Sequence, residues 1–170
     1  MNHPQIIAQL ESNIPVFEGL LAHASDEEVS WRPTEKKWCL LEIVCHLYDE
    51  EREDFRARLK HILEQPAEKL PPIDPVGWVT ARKYAEQDYS QKVHAFLHER
   101  KASVRWLQSL SNPPWQNAFH HPRLGPLSAE MFLINWVAHD YLHIRQIVRT
   151  KYQYLKQTTA GISLAYAGRW

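Results

Sequence analysis

Apolar residues recur three and four positions apart along most of the chain and strict alternation is nowhere sustained, so the pattern predicts helices and no strands. Four long segments carry it. The first runs from Pro4, well placed at a helix start, to about Ala24, with Ile6, Ile7, Leu10, Ile14, Phe17 and Leu21 on one side and a kink expected at Pro15. The second covers Leu40 to Leu63. It turns Ile43, Val44, Leu47, Phe55, Leu59 and Ile62 inward and a charged face, Glu51 to Arg58, outward. Pro66, Pro71, Pro72 and Pro75 forbid its continuation. A short helix over Trp78 to Ala85 is expected before the third long one, Tyr89 to Leu110, which Asp88 or Ser90 can cap. The fourth begins after Ser128, whose hydroxyl can cap it, and runs to about Tyr152.

The connections are polar and proline-rich: Ser25 to Lys37 with Trp31-Arg32-Pro33, and Ser111 to Leu127 with His120-His121-Pro122 and Gly125-Pro126. These lengths describe an all-α protein, a four-helix bundle formed by a single domain over residues 1–152. Residues 153–170 read as a tail that packs on the bundle or at a dimer interface.

Charge narrows the partners. Twenty basic and 20 acidic side chains cancel, so no global field draws the chain to nucleic acid or an anionic membrane, and a small molecule or another protein is the expected partner. The start, Met1-Asn2-His3-Pro4, lacks a basic region followed by an apolar run, and no apolar window is long enough to span a bilayer. A cytoplasmic location is expected. Cys39 and Cys45 fall on different faces of one helix, which predicts reduced, buried thiols without a disulfide.

The chemistry concentrates in His139-Asp140-Tyr141-Leu142-His143. Four residues is just over one helical turn, so both imidazoles leave the same face, along a stripe with Phe132, Trp136 and Ile147. Spacing alone is weak, because ten histidines in 170 residues give roughly 0.6 such pairs by chance. A second pair, His94 and His98, shares its face with Lys101, Arg105 and Gln108, opposite the apolar stripe, and is expected to be solvated. At His139 and His143 both a metal site and partnered core histidines fit.

Catalytic zinc usually takes three protein ligands, so the metal reading needs a third. Comparison with the His-Glu-x-x-His helix of zinc proteases fails, since Ile144 to Trp170 contains no His, Asp, Glu or Cys. Upstream, the second helix offers His46 beside the Ile43/Leu47 stripe, and Glu50 one turn later is open to three roles: ligand, base or solvated residue. Three neutral imidazoles would suit zinc, nickel, copper or iron(II). Glu-x-x-His, the repeated spacing of di-iron bundles, is absent. So are a Gly-x-Ser-x-Gly elbow and a phosphate-cradling glycine loop.

The segments KWCLLEIVCHLYDEE and FHHPRLGPLSAEMFLINWVAHDYLHIRQI resemble the DinB-like superfamily of metal-binding four-helix bundles. The resemblance covers roughly Gln5 to Tyr152 and rests on Trp38 shortly before His46, the His-Pro-x-x-Gly loop at His121, and a last helix reading His-Asp-x-x-His-x-x-Gln up to Gln146. It implies a metal triad of His46, His139 and His143 holding a divalent transition metal, zinc or nickel ahead of iron. It also implies a connectivity other than simple up-down-up-down, and a homodimer. For activity it implies a thiol-dependent S-transferase, with a low-molecular-weight thiol as cosubstrate, or a hydrolase, acting on a small electrophilic substrate. His120 and His121 match a loop histidine of relatives, with packing or a hydrogen bond favoured over ligation. Gln146 either orients an imidazole or a bound water, or simply packs. Trp31, Trp38, Trp78, Trp115 and Trp136 either line a pocket beside the metal or fill the core. The alternative is a non-enzymatic module. Arg145, Arg149, Lys151, Lys156 and Arg169 interleave with Tyr152, Tyr154, Tyr166 and Trp170, a pattern that can meet nucleic acid or a partner protein.

Overall fold

In the computed structural model, which describes residues 2–168, four long helices carry the core. The first, α1 (His3–Leu21), starts where the Asn2 side chain accepts the Gln5 N–H and Pro4 occupies the first turn. It passes through Pro15 as one assigned helix; the carbonyl that loses its donor there belongs to exposed Glu11, which water can satisfy. A short helix, α2 (Asp26–Ser30), follows with Ser25 as its cap.

The second long helix is three assigned stretches in one run: α3 (Leu40–Asp49), a π-helical segment Glu50–Phe55, and α4 (Arg56–Glu64). The expected outward face fails at its first position, because Glu51 is 1% exposed. A π segment spaces hydrogen-bonded residues more widely than 3.6 per turn, so a helical wheel carried past Asp49 assigns the following residues to the wrong face. Glu50 is buried as well, which removes the solvated reading.

The short helix expected over Trp78 to Ala85 is α5 (Pro75–Ala81). Asp74 caps Gly77 N–H and Pro75 fills the first position, so it starts early; left-handed Lys83 (φ 48°) then ends it. The third long helix, α6 (Tyr89–Ser109), is capped by Asp88. The loop that follows contains a hairpin the sequence did not predict, β1 (Ala118–His121) antiparallel to β2 (Gly125–Ser128). Four-residue strands are too short to show alternation. Its turn closes on His121 Nδ1, which accepts the Arg123 and Leu124 N–H groups at 3.2 and 3.1 Å, and on Gly125 at φ +75°.

The last helix, α7 (Ala129–Thr158), is capped by Ser128 and runs six residues beyond the expected end. It is held there by α2: Lys151 pairs with Glu28 at 2.8 Å, Tyr154 meets Trp31 edge-on, and Trp31 Nε1 donates to Gln157 at 3.2 Å. After Thr158 the chain is irregular apart from a 3₁₀ turn at Ala165–Ala167; Arg169 and Trp170, part of the expected basic and aromatic tail, lie outside the described residues.

α1 packs on α6 and α7, while the second long helix packs on α6 through α3 and on α7 chiefly through α4. The order around the bundle is therefore first, third, second, fourth, with the first and second helices on one diagonal and the third and fourth on the other. The core between them includes Leu10, Phe17, Ile43, Leu59, Phe96, Leu133, Trp136 and Ile147. A smaller cluster of Val29, Cys39, Leu41, Cys45 and Tyr84 seals the flank of α3, and both cysteines are free thiols. Among the described residues no helix is long and apolar enough to cross a membrane.

Candidate metal centre

The start of α3 is fixed by one carboxylate. Glu42 accepts the backbone N–H of Cys39 at 3.1 Å and both ends of the Arg32 guanidinium, while Arg32 also donates to the Lys37 carbonyl at 3.2 Å. The loop before α3 is thereby strapped to the helix, and its Trp38 lies against His46 with ring centroids 4.8 Å apart.

His46 projects from α3 toward α7, where His139 and His143 meet it. The ring centroids are 4.8 Å (His46 to His143), 5.4 Å (His46 to His139) and 4.3 Å (His139 to His143), and one ligating nitrogen from each ring lies within 4.8 Å of the others. Phe55 covers His139 from the other side at 4.9 Å and stacks on Trp136. Burial therefore disfavours the imidazolium form of all three. It lowers His46 to about 3, with the charge of His143 adding to the effect. His139 is lowered by burial and then by His143, His46 and Arg100, and His143 by burial against the opposing influence of Gln146 and Asp140.

Neutral imidazole is the form a metal requires. The Nε2 atoms of His139 and His143 stand 3.0 Å apart, close to the roughly 3.4 Å edge of a tetrahedron with metal–nitrogen bonds of about 2.0–2.1 Å. Among the described residues, the buried Nδ1 atoms of His46 and His143 have no hydrogen-bond partner. Three neutral nitrogen donors and unpartnered buried ring nitrogens fit a divalent metal ion.

A family model described as the DinB superfamily matches residues 9–147. The chain belongs to the DinB superfamily. YfiT from Bacillus subtilis, described as a probable metal-dependent hydrolase with an unusual four-helix bundle topology, is structurally similar with a TM-score of 0.78 and 19% identity, covering 89% of this chain and 87% of that one. At that identity the likeness establishes the fold. No curated protein matches the chain.

Beneath the histidines this DinB-superfamily chain buries a charge network with members on all four long helices. Arg100 (α6) donates through Nη1 and Nη2 to Asp140 (α7) at 2.6 and 2.7 Å and through Nε to Glu51 (π segment) at 2.9 Å. Asn13 (α1) donates to Asp140 and Trp136 (α7) to Glu51, both at 2.9 Å. Asp140, the carboxylate between the two motif histidines, thus serves the core.

Other candidates separate cleanly. His94 and His98 are exposed, and His120 and His121 lie on β1, outside the three-histidine cluster. Glu50 is also outside it; burial first, then hydrogen bonding and charge from Asp54, push its carboxyl up to about 8. Of the five tryptophans considered for a pocket, Trp38 reaches the site: with His143 and Gln146 it lines a cavity of about 460 Å³. Trp136 fills the core, Trp115 stacks on His3, Trp78 lies under Arg82, and Trp31 lines a neighbouring cavity.

Proposed function

We propose that His46, His139 and His143 hold a divalent transition metal, and that the chain is a metal-dependent enzyme for a small molecule bound in the cavity beside His143. The observation that carries this reading is the convergence of three imidazoles, His46 and His143 buried and His139 half-buried, with His143 also lining a cavity of about 460 Å³. The imidazole donor set favours zinc or nickel, with iron as the other candidate. Bound there, the metal supplies Lewis-acid activation of a nucleophile, either water for hydrolysis or a small thiol for transfer to an electrophile. Trp38 covers one side of His46, and Gln146 stands beside His143 in the cavity wall. Hydrolysis agrees with the description of YfiT, and thiol transfer with the open, partly apolar cavity.

The test is elemental analysis of protein purified without a metal-affinity column. About one divalent ion per chain is expected, lost in His46→Ala, His139→Ala and His143→Ala and kept in His94→Ala. Full retention by His139→Ala overturns the site. In cobalt-substituted protein the visible spectrum should respond to azide or a small thiol; an unresponsive, saturated spectrum makes the metal structural and the chain a binding module.

A further inference from the structure

The chain is electroneutral, yet the wall beside His143 has one sign of charge. Lys37, Arg145 and Arg149 line the cavity with Gln146 and Gln153, and among the described residues no aspartate or glutamate does. A second cavity of about 910 Å³ continues past Arg149, adds Lys156 and also has no acidic residue in its described wall. Several cations elsewhere are matched: Arg32 by Glu42, Arg56 by Glu99, Arg82 by Asp49 and Glu53, Lys151 by Glu28. The cavity cations are not, since among the described residues no carboxylate forms an ion pair with Lys37, Arg145, Arg149 or Lys156. Sequence dictates part of this, because Asp140 is the last acidic residue in the chain.

Exposed lysines and arginines are ordinarily just solvated. These differ in placement. Arg145 and Arg149 lie one turn apart on α7 and face Lys37 across a concavity whose wall also holds Trp38 and His143. Like charges gathered on a concave, partly apolar wall repel one another and concentrate a positive potential inside it, an arrangement that an anionic ligand relieves. Arg149 is six residues past His143, about 9 Å along the helix axis.

We propose that Lys37, Arg145 and Arg149 form an anion subsite of the metal cavity, so that the substrate carries a carboxylate or phosphate at one end and presents its reacting group to the histidines at the other. This rests on the metal-enzyme reading for the second half of the statement and on the cations alone for the first. The substrate's two ends stand several bonds apart, matching the axial distance from His143 to Arg149. Lys156 gives a longer ligand a further contact in the adjoining cavity.

Two measurements separate the halves. Chelated, metal-free protein is titrated with inorganic phosphate and with succinate, followed by backbone amide shifts of Arg149 and Gln153. Binding of either at millimolar concentration, weakened by salt and lost in Arg145→Gln/Arg149→Gln, supports the subsite, and the tighter of the two names the group. No binding of either overturns it, whatever the metal does. Cobalt-loaded protein is then titrated with 6-mercaptohexanoate and with uncharged 6-mercapto-1-hexanol, read by the cobalt–thiolate absorption. The acid should bind at least about tenfold tighter than the alcohol, and the double variant should lose that advantage while keeping its cobalt content and its affinity for the alcohol. Equal affinities in the native protein, or an advantage that survives the substitutions, overturn the link between subsite and metal. Failure to take up cobalt defeats the metal reading and leaves the phosphate result standing. Tight, steeply salt-dependent binding of duplex DNA that disappears in the double variant assigns the cations to nucleic acid and overturns the proposal.

Discussion

Replacing Arg100 by Met strips a buried cluster of two carboxylates of its one cation among the described residues. Arg100, Glu51 and Asp140 have side chains 1%, 1% and 0% exposed, and the guanidinium makes three short hydrogen bonds to them. Methionine fills much of the volume, so the cost is electrostatic. Removing one partner of a buried pair costs about 3–5 kcal/mol, and here two carboxylates lose it together. Against a typical domain stability of about 5–15 kcal/mol, Arg100→Met should unfold at a much lower urea concentration. Urea unfolding followed by far-UV circular dichroism measures this. Arg100→Lys, which keeps the charge but cannot fork onto both carboxylates, should fall between the two and guards against a variant that does not fold at all. A loss below about 1 kcal/mol would refute the reasoning.

Two further outcomes follow from the same physics. Glu50, pushed up to about 8 from 4.5 by burial and then by Asp54, makes the folded state bind more protons than the unfolded chain between those values, so it costs stability as pH rises through that window. Glu50→Gln should stabilise the protein by on the order of 1–3 kcal/mol above pH 8, with the gain vanishing near pH 4 in the same urea assay; a gain independent of pH would mean that charge burial is not its source. Chelating a metal held by His46, His139 and His143 should lower the melting temperature with little change in far-UV helicity, because the core joins all four helices without it. Wholesale loss of helix on chelation would show that the ion is structural.

The four long helices and the convergence of His46 with His139 and His143 were legible because each rests on a long 3.6-residue pattern that places the side chain on an inner face. The hairpin was not, since strands of four residues carry too little periodicity. The burial of Glu51 was hidden by the π segment, which no composition signals. Arg100 had a signal that went unread: it falls four residues after Phe96 and four before Val104, in the middle of an apolar stripe. A lone arginine there needs a buried carboxylate. Asp140, seven residues after Leu133 and four after Trp136, was in phase to supply one.

That arginine explains how neighbouring positions on one helix can serve different ends. Successive residues on α7 point about 100° apart, so a rotation of the helix about its axis by about that angle would aim Asp140, rather than His139, at His46. Asp140 is locked by two bonds from Arg100 and one from Asn13, which sets the rotation and leaves His139 and His143 facing α3. Trp136, one turn earlier, adds a second lock through Glu51 on the neighbouring second long helix. The network carries two carboxylates against one guanidinium, so its formal charge is −1, a sign that favours a cation among the histidines above it. Neutral imidazoles alone would leave a divalent ion's charge uncompensated in an apolar surround. The same buried salt bridge that orders the bundle thus also aims the three rings and sets the field in which they sit.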